Sequence, residues 1–388
     1  MTIFELSDID AEIAQAVRER CKEFDDGYWS QCERTKTYPN EFFAAMAEGG
    51  WLGLTIPEEF GGGGQGTKQA AVMLSEIGAS GAAEVGCVVM HNPMFAAEPI
   101  VKFGSDELKT AFLPKLASGE IKIAFAVTEP NAGLDTSKIS TTAEKDNDGY
   151  VFNGQKVYIT QADVAAVALV VARTSPARES SRFSGLSLFL VDLNTPGIDI
   201  RPIEKHGMNA INSCEVFFDN ARIPADRLIG EEGEGFRYLV DALNRERLVM
   251  SAEAIGIGRA ALCHAVRYAT ERVVFDRPIG ANQAISHPLA LASIQLDAAW
   301  SYLMTAMDAY DRGIALRTEG NVAYYLAVEA GWLATDTAIQ TLGGLGYTRE
   351  GQVERYAREM RVLRLSPVTP HMMLNSVAHA GLGLPRSY

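Results

Sequence analysis

The 388-residue chain is 47% hydrophobic and 22% charged, a balance that belongs to globular proteins and is too apolar for disorder. Its 35 Lys and Arg against 49 Asp and Glu give a formal charge of -14 with no basic cluster, which argues against a nucleic-acid partner. Five scattered cysteines without a CxxC pair fit a reducing cytoplasmic compartment and speak against a disulfide framework or structural zinc. The N-terminus is acidic at once, with neither a signal-peptide core nor an Arg-rich transit pattern. The longest membrane-like stretch, 164–172, ends at Arg173, half the length of a spanning helix, so no membrane span is expected.

In chain order, the first region (1–120) reads as helical. Ile9, Ile13, Ala16 and Val17 recur at helix spacing, and Phe42, Phe43 and Met46 follow a Pro39-Asn40 start signal. Two further amphipathic helices fit Thr67 to Ile77 and Asp106 to Leu116. From 121 to 230 the period changes to two. IKIAFAV, YVFNGQKVYIT, VALVVAR, LSLFLVD and CEVFFDNARIP are separated by Asp-Asn-Asp-Gly, Ser-Gly and Pro-Gly turns, which predicts antiparallel strands in a barrel or sandwich. The third region (231–388) is helical again: a long helix through Phe236, Leu239, Val240, Leu243 and Leu248, then helices near 284–313, 323–342 and 353–363.

Some local patterns mislead. Gly61, Gly63 and Gly66 satisfy GxGxxG, and Glu84 lies near the distance of a ribose-binding acid. No strand-turn-helix context surrounds them, so a flexible turn is the better account. Gly256 and Gly258 fall inside a helical run, where glycine permits close backbone packing. His371 and His379 lack acidic partners at zinc spacing, no GxSxG elbow occurs, and no metal is expected.

Five ordered segments carry the specific signal: FAVTEPNAGLDT (125–136), NGQKVYIT (153–160), RERLVMSAEAIGIGRAAL (245–262), ATERVVFDRPIGANQAIS (269–286) and QTLGGLGYTREGQVERYARE (340–359). Together they resemble the acyl-CoA dehydrogenase family over roughly residues 35 to 375. The resemblance implies an α+β multi-domain fold: an N-terminal helical domain, a middle antiparallel β-barrel and a C-terminal four-helix bundle. It further implies one FAD per subunit, a homotetramer built as a dimer of dimers, and electron transfer to an electron-transfer flavoprotein in fatty acid or amino acid catabolism.

Carried over residue by residue, the resemblance assigns the flavin ring to Phe125, Val127 and Thr128, with Tyr158, Ile159 and Thr160 covering it. Gly133 and Leu134 bring backbone to the pyrophosphate. Arg272, Phe275 and Gln283 reach a neighbour's FAD, as do Gln340, Gly343 and Gly344, and Thr369 completes the cofactor set. A forked guanidinium suits a pyrophosphate. Leu134 stands where many members have a serine that also touches substrate, and Tyr158 replaces a common Trp. The C-terminal loop reads Ser366-Pro367-Val368-Thr369, without the Glu-Gly-Thr of many members.

Isovaleryl- and long-chain-type members instead place their base on the first long helix of the last domain, immediately before an Arg. Glu246-Arg247 occupies that place. The resemblance therefore implies Glu246 as the α-proton base and Asn244, Arg247, Leu134, Pro367 and Val368 as substrate contacts. The expected reaction is dehydrogenation of an acyl-CoA thioester to a trans-2-enoyl-CoA. The rival readings are other flavin chemistry on the same fold (oxidase, monooxygenase or desulfinase-like) and a non-catalytic helical scaffold.

Overall fold

The computed structural model describes residues 6–179 and 181–386, with the side chains of 241, 242 and 244 outside that description. Six helices come first: α1 (Asp8–Cys21), α2 (Asp26–Thr35), α3 (Asn40–Glu48), α4 (Thr67–Ile77), α5 (Ala83–Phe103) and α6 (Asp106–Ala117). Side-chain caps start several of them. Ser7, Asp25 and Ser105 accept the backbone N–H three residues on, at 3.3, 3.0 and 3.2 Å. The buried stripe of α1 is Ile13, Ala14, Val17 and Cys21, while Ile9 is 45% exposed, so the apolar face is rotated from the expected Ile9–Ala16 line. Gly81 takes a φ of +96° in the tight turn between α4 and α5, where a Cβ would meet Asp26 Oδ1 at 2.6 Å.

The chain then forms β1 (Ile123–Ala126), β2 (Thr142–Asp146), β3 (Gly149–Thr160), β4 (Val167–Arg173), β5 (Leu186–Asp192), β6 (Ile198–Ile203), β7 (Ser213–Pro224) and β8 (Leu228–Ile229). They make one eight-stranded sheet in the order β6-β7-β3-β2-β4-β5-β8, with β1 beside β4. Most pairs are antiparallel, as the turn chemistry predicts. However, β1 runs parallel to β4, with Phe125 opposite Leu169, and β2 meets β4 in parallel at Thr142–Arg173. The parallel pair arises because β1 enters directly from the helical region rather than from a hairpin, and hairpins alone enforce antiparallel neighbours.

Period-two alternation sorts the sheet's two faces. Leu169, Val171, Leu188 and Leu190 pack with Ile100 and Leu113 of the helices, whereas Val170, Phe189, Val191 and Phe152 fill a core inside the sheet.

The last region holds α7 (Gly235–Glu271), the hairpin strands β9 (Val273–Val274) and β10 (Arg277–Pro278), then α8 (Gln283–Asp311), α9 (Glu319–Leu342), α10 (Val353–Leu363) and α11 (Pro370–Ser376). One core joins these helices to the first five, with Trp29, Phe42, Met73, Val89, Ile255 and Tyr324 all buried. Gly256 and Gly258 serve close packing: a Cβ on Gly256 would meet Ser75 O at 2.4 Å, and one on Gly258 would meet the Gly331 Cα at 3.1 Å. Among the described residues, two stretches are long and apolar enough to cross a membrane, 67–103 and Gly235–Glu271; 83% and 72% of their most apolar windows are buried inside the protein.

Candidate active site

Glu246 lies on α7 with its residue only 8% exposed, and its Oε2 has no hydrogen-bond partner among the described residues. Burial raises its carboxyl to about 7; His91 and Arg247 pull the value down and Glu253 pushes it up. His91 projects from α5, is itself held down to about 4 by burial, and bonds Glu253 Oε1 through Nδ1 at 2.7 Å. It is therefore a neutral imidazole at neutral pH. Arg247 is largely buried beside Glu246 and Tyr324.

Tyr324 of α9 connects this group to the C-terminal loop. Its hydroxyl lies 2.8 Å from Leu363 O and 2.7 Å from Ser366 O, and its ring senses the charges of Glu84, Glu253, Glu246 and Arg247. The loop 366–369 is thereby fastened to the side chain that borders Glu246. Ser366-Pro367 is a cis peptide bond, Thr369 precedes α11, and Val368 is half-buried against the helical core. Asn244 belongs to α7, but its side chain lies outside the described residues.

The two β segments singled out by the sequence come together. Val157 N donates to Thr128 O at 2.9 Å, joining the end of β1 to β3. A buried ion pair clamps the same junction: Lys156 Nζ donates to Glu129 Oε1 at 2.8 Å and to Val127 O at 3.0 Å. Glu129 also accepts Ser140 N at 2.7 Å, Ser140 Oγ at 2.8 Å and Thr141 N at 3.0 Å. Burial alone would raise the Glu129 carboxyl, but Lys156 and these donors bring it down to about 2. Burial lowers Lys156 to about 8 against the opposing pull of Glu129. Sequence reasoning passed over this pair, although a Glu and a Lys inside two β-rich segments are the signal that could have found it.

Beside this junction the surface is open and partly apolar. Tyr158 is 66% exposed at a φ of +61°, Leu134 is 54% exposed, and a Cβ on Gly133 would meet nothing within 4 Å. Ile159 is buried in the sheet core, while Phe125, Val127, Thr128 and Thr160 are half-buried. Exposed aromatic and aliphatic groups next to an unobstructed glycine form a surface a flat ring system with a charged tail can occupy.

The remaining assigned residues stand elsewhere on the surface. Arg272 ends α7, Phe275 sits at the tip of the β9–β10 hairpin, and Gln283 begins α8; all three are exposed, Phe275 to 93%. Gln340 is exposed near the end of α9, and Gly343 and Gly344 follow it with open space where side chains would be. Within one chain, no hydrogen bond among the described residues joins these two groups to the Glu246 region.

Comparison with known proteins gives three consecutive matches. Residues 7–120 match the acyl-CoA dehydrogenase N-terminal domain, 124–221 the middle domain and 233–382 the C-terminal domain. The chain is 37% identical over 386 residues to "Acyl-CoA dehydrogenase FadE12" of Mycobacterium tuberculosis, covering 98% of each chain. Among solved structures, the glutaryl-coenzyme A dehydrogenase–glutaryl-CoA complex superposes with a TM-score of 0.93 at 29% identity, over 100% of this chain and 98% of that one. The FAD complex of PigA superposes with a TM-score of 0.92 at 27% identity, over 99% and 100%.

Proposed function

The chain belongs to the acyl-CoA dehydrogenase family, a family of flavin-dependent oxidoreductases, and from that premise we propose that it removes the α-proton of an acyl-CoA with Glu246 and yields a trans-2-enoyl-CoA. The observation that carries this reading is the buried Glu246 carboxyl with an orphan Oε2 and a pKa raised to about 7. A general base works best when its pKa lies near the working pH. His91 and Arg247 hold that pKa below what burial alone would give, and the free Oε2 is left to take the proton.

The open surface around Gly133, Leu134 and Tyr158 is the seat proposed for FAD, with Phe125, Val127, Thr128, Ile159, Thr160 and Thr369 around it. FAD, when bound, supplies the oxidant that accepts the β-hydrogen as hydride. The Glu129–Lys156 clamp holds β1 and β3 in register so that this seat is rigid before the cofactor arrives. The protein's task at the thioester carbonyl falls to the C-terminal loop. Pro367 has no N–H, so Val368 N–H is the donor assigned to the developing enolate oxygen. Asn244, Arg247 and Leu134 are assigned to the CoA and acyl portions.

Arg272, Phe275, Gln283, Gln340, Gly343 and Gly344 are assigned to the FAD of a neighbouring subunit. A phenylalanine 93% exposed at a hairpin tip is out of place on an isolated chain and fits burial against a second copy. A homotetramer made of two dimers, three domains with boundaries near 120 and 230, a cytoplasmic location and an electron-transfer flavoprotein as acceptor complete the reading.

Anaerobic mixing with acyl-CoA tests it. The wild type should bleach its flavin and Glu246→Gln should bind the thioester yet reduce flavin about 10²- to 10⁴-fold more slowly. Unchanged reduction in that variant removes Glu246 as the base, and a fast peroxide burst in air replaces the dehydrogenase reading with an oxidase.

A further inference from the structure

Two pairs of polar residues face one another across α5 and α7. Glu84 and His91 stand seven residues apart on α5, and Glu246 and Glu253 stand seven apart on α7. Seven residues are about two helical turns, so each pair lies on one helix face. Glu84, His91 and Glu253 are all buried, and one ligand atom from each lies within 4.8 Å of the others. His91 connects this trio to Glu246, since it bonds Glu253 and feels the Glu246 charge.

The trio is incompletely satisfied. Glu84 Oε2 and Glu253 Oε2 have no hydrogen-bond partner among the described residues, although the two residues are only 2% and 0% exposed. Native chains rarely keep such atoms unless something else meets them. The adjacent Glu359 shows the contrast, because it accepts Arg355 Nη1 at 3.2 Å and Val85 N–H at 3.1 Å. Among the described residues, no Lys or Arg is ion-paired with Glu84 or Glu253. Glu84 and Glu253 thus each keep an oxygen open to a donor the protein does not supply, and among the donors a ligand can bring an ammonium also offsets the charge of an ionised carboxylate.

The location identifies what brings it. Glu253 lies seven residues beyond Glu246 on α7, about two helical turns or roughly 10 Å along the axis. A thioester with its α-carbon at Glu246 would carry a medium-length acyl chain to that depth. We propose that Glu84, His91 and Glu253 form the far wall of the acyl pocket and select an acyl chain that ends in a protonated amine. The proposal rests on the dehydrogenation reading for the position of the α-carbon. The ammonium sits between the two orphan oxygens, and His91 orients Glu253. A hydrocarbon tail would leave both oxygens unmet. Burial holds both carboxyls well above the usual range, and an approaching ammonium favours their ionised form.

Isothermal titration of the purified holoenzyme with 6-aminohexanoyl-CoA and with heptanoyl-CoA tests this, because the second replaces the ammonium by a methyl group. The amine thioester should bind about 30-fold more tightly, the worth of one charge-assisted hydrogen-bond set. Glu84→Gln and Glu253→Gln should each remove most of that ratio. Equal binding, or a preference for heptanoyl-CoA, overturns the proposal. So does 6-hydroxyhexanoyl-CoA binding as tightly as the amine, which would show recognition of a neutral donor. A stoichiometric divalent metal in the holoenzyme that is lost in Glu253→Gln overturns it in favour of a metal centre. The binding ratio stands apart from chemistry: if both thioesters bind and neither bleaches the flavin, it is the dehydrogenation reading that fails.

Discussion

Glu129 and Glu246 are both acids sealed from solvent, and the chain treats them in opposite ways. Glu129, at the junction of β1 and β3, receives a lysine, two backbone N–H groups and a hydroxyl, and its carboxyl falls to about 2. Glu246, on α7, keeps an orphan oxygen and rises to about 7. Burial raises the pKa in both places; only the partners differ. A fully partnered acid is fixed in charge and position, which suits a clamp. An unpartnered acid can exchange a proton at neutral pH, which suits a base. The helical core thus carries uncompensated polar groups at the site proposed for chemistry, and the β domain carries compensated ones beneath the seat proposed for the cofactor.

The largest effect is expected at the clamp. Lys156→Leu leaves Glu129 buried without its cation and should cost about 3–5 kcal/mol in denaturant unfolding. The double change Glu129→Leu, Lys156→Leu should recover much of that loss, because an apolar pair needs no compensation. A Lys156→Leu protein as stable as wild type would mean that the pair does not hold the junction.

The opposite sign is expected on the helical side. Glu84→Leu and Glu253→Leu each remove an acid with an unmet oxygen, and each should leave stability unchanged or raise it by about 1 kcal/mol. A loss as large as that at Lys156 would show that these acids are structurally compensated after all.

Titration separates the two acids by sign. Glu129 has a folded-state pKa below its ordinary value of 4.5, so its contribution is present above that value and is lost as pH falls toward about 2. Glu246 has a raised folded-state pKa, so ionising it in the folded protein costs stability as pH rises from 4.5 toward about 7. Unfolding midpoints of the wild type and Glu246→Gln between pH 4 and 8 should therefore separate, the variant losing less on the way up.

Much of this architecture is legible in the sequence. Helices with regular apolar spacing, such as Thr67–Ile77 and Val353–Leu363, appear with the bounds the pattern suggests. The alternating β4 and β5 likewise declare two faces. The parallel neighbour of β1 was not legible, because β4 lies a full strand-turn-strand excursion later and local periodicity carries no partner information. Glu246 was legible only through the motif around it; as a lone Glu it resembles any solvated helix acid. The Glu84–His91 and Glu246–Glu253 spacings were visible, yet a seven-residue spacing acquires meaning only when α5 and α7 pack face to face. The contact of Tyr324 with Ser366 crosses 42 residues and leaves no local trace. Exposure of Phe275 runs against composition rules and fits the subunit contact proposed for it.

Glu246, with its Oε2 free, is the group proposed to take the α-proton. Proton abstraction can be isolated from oxidation with a 3-thia-acyl-CoA, whose sulfur at the β-position carries no hydrogen to be removed. Incubated with the holoenzyme in D₂O and followed by mass spectrometry, its α-position should gain deuterium, with a rate that climbs as pH rises through about 7. Glu246→Gln should leave the α-position protonated over the same period. Deuterium uptake at the wild-type rate in that variant would contradict the claim.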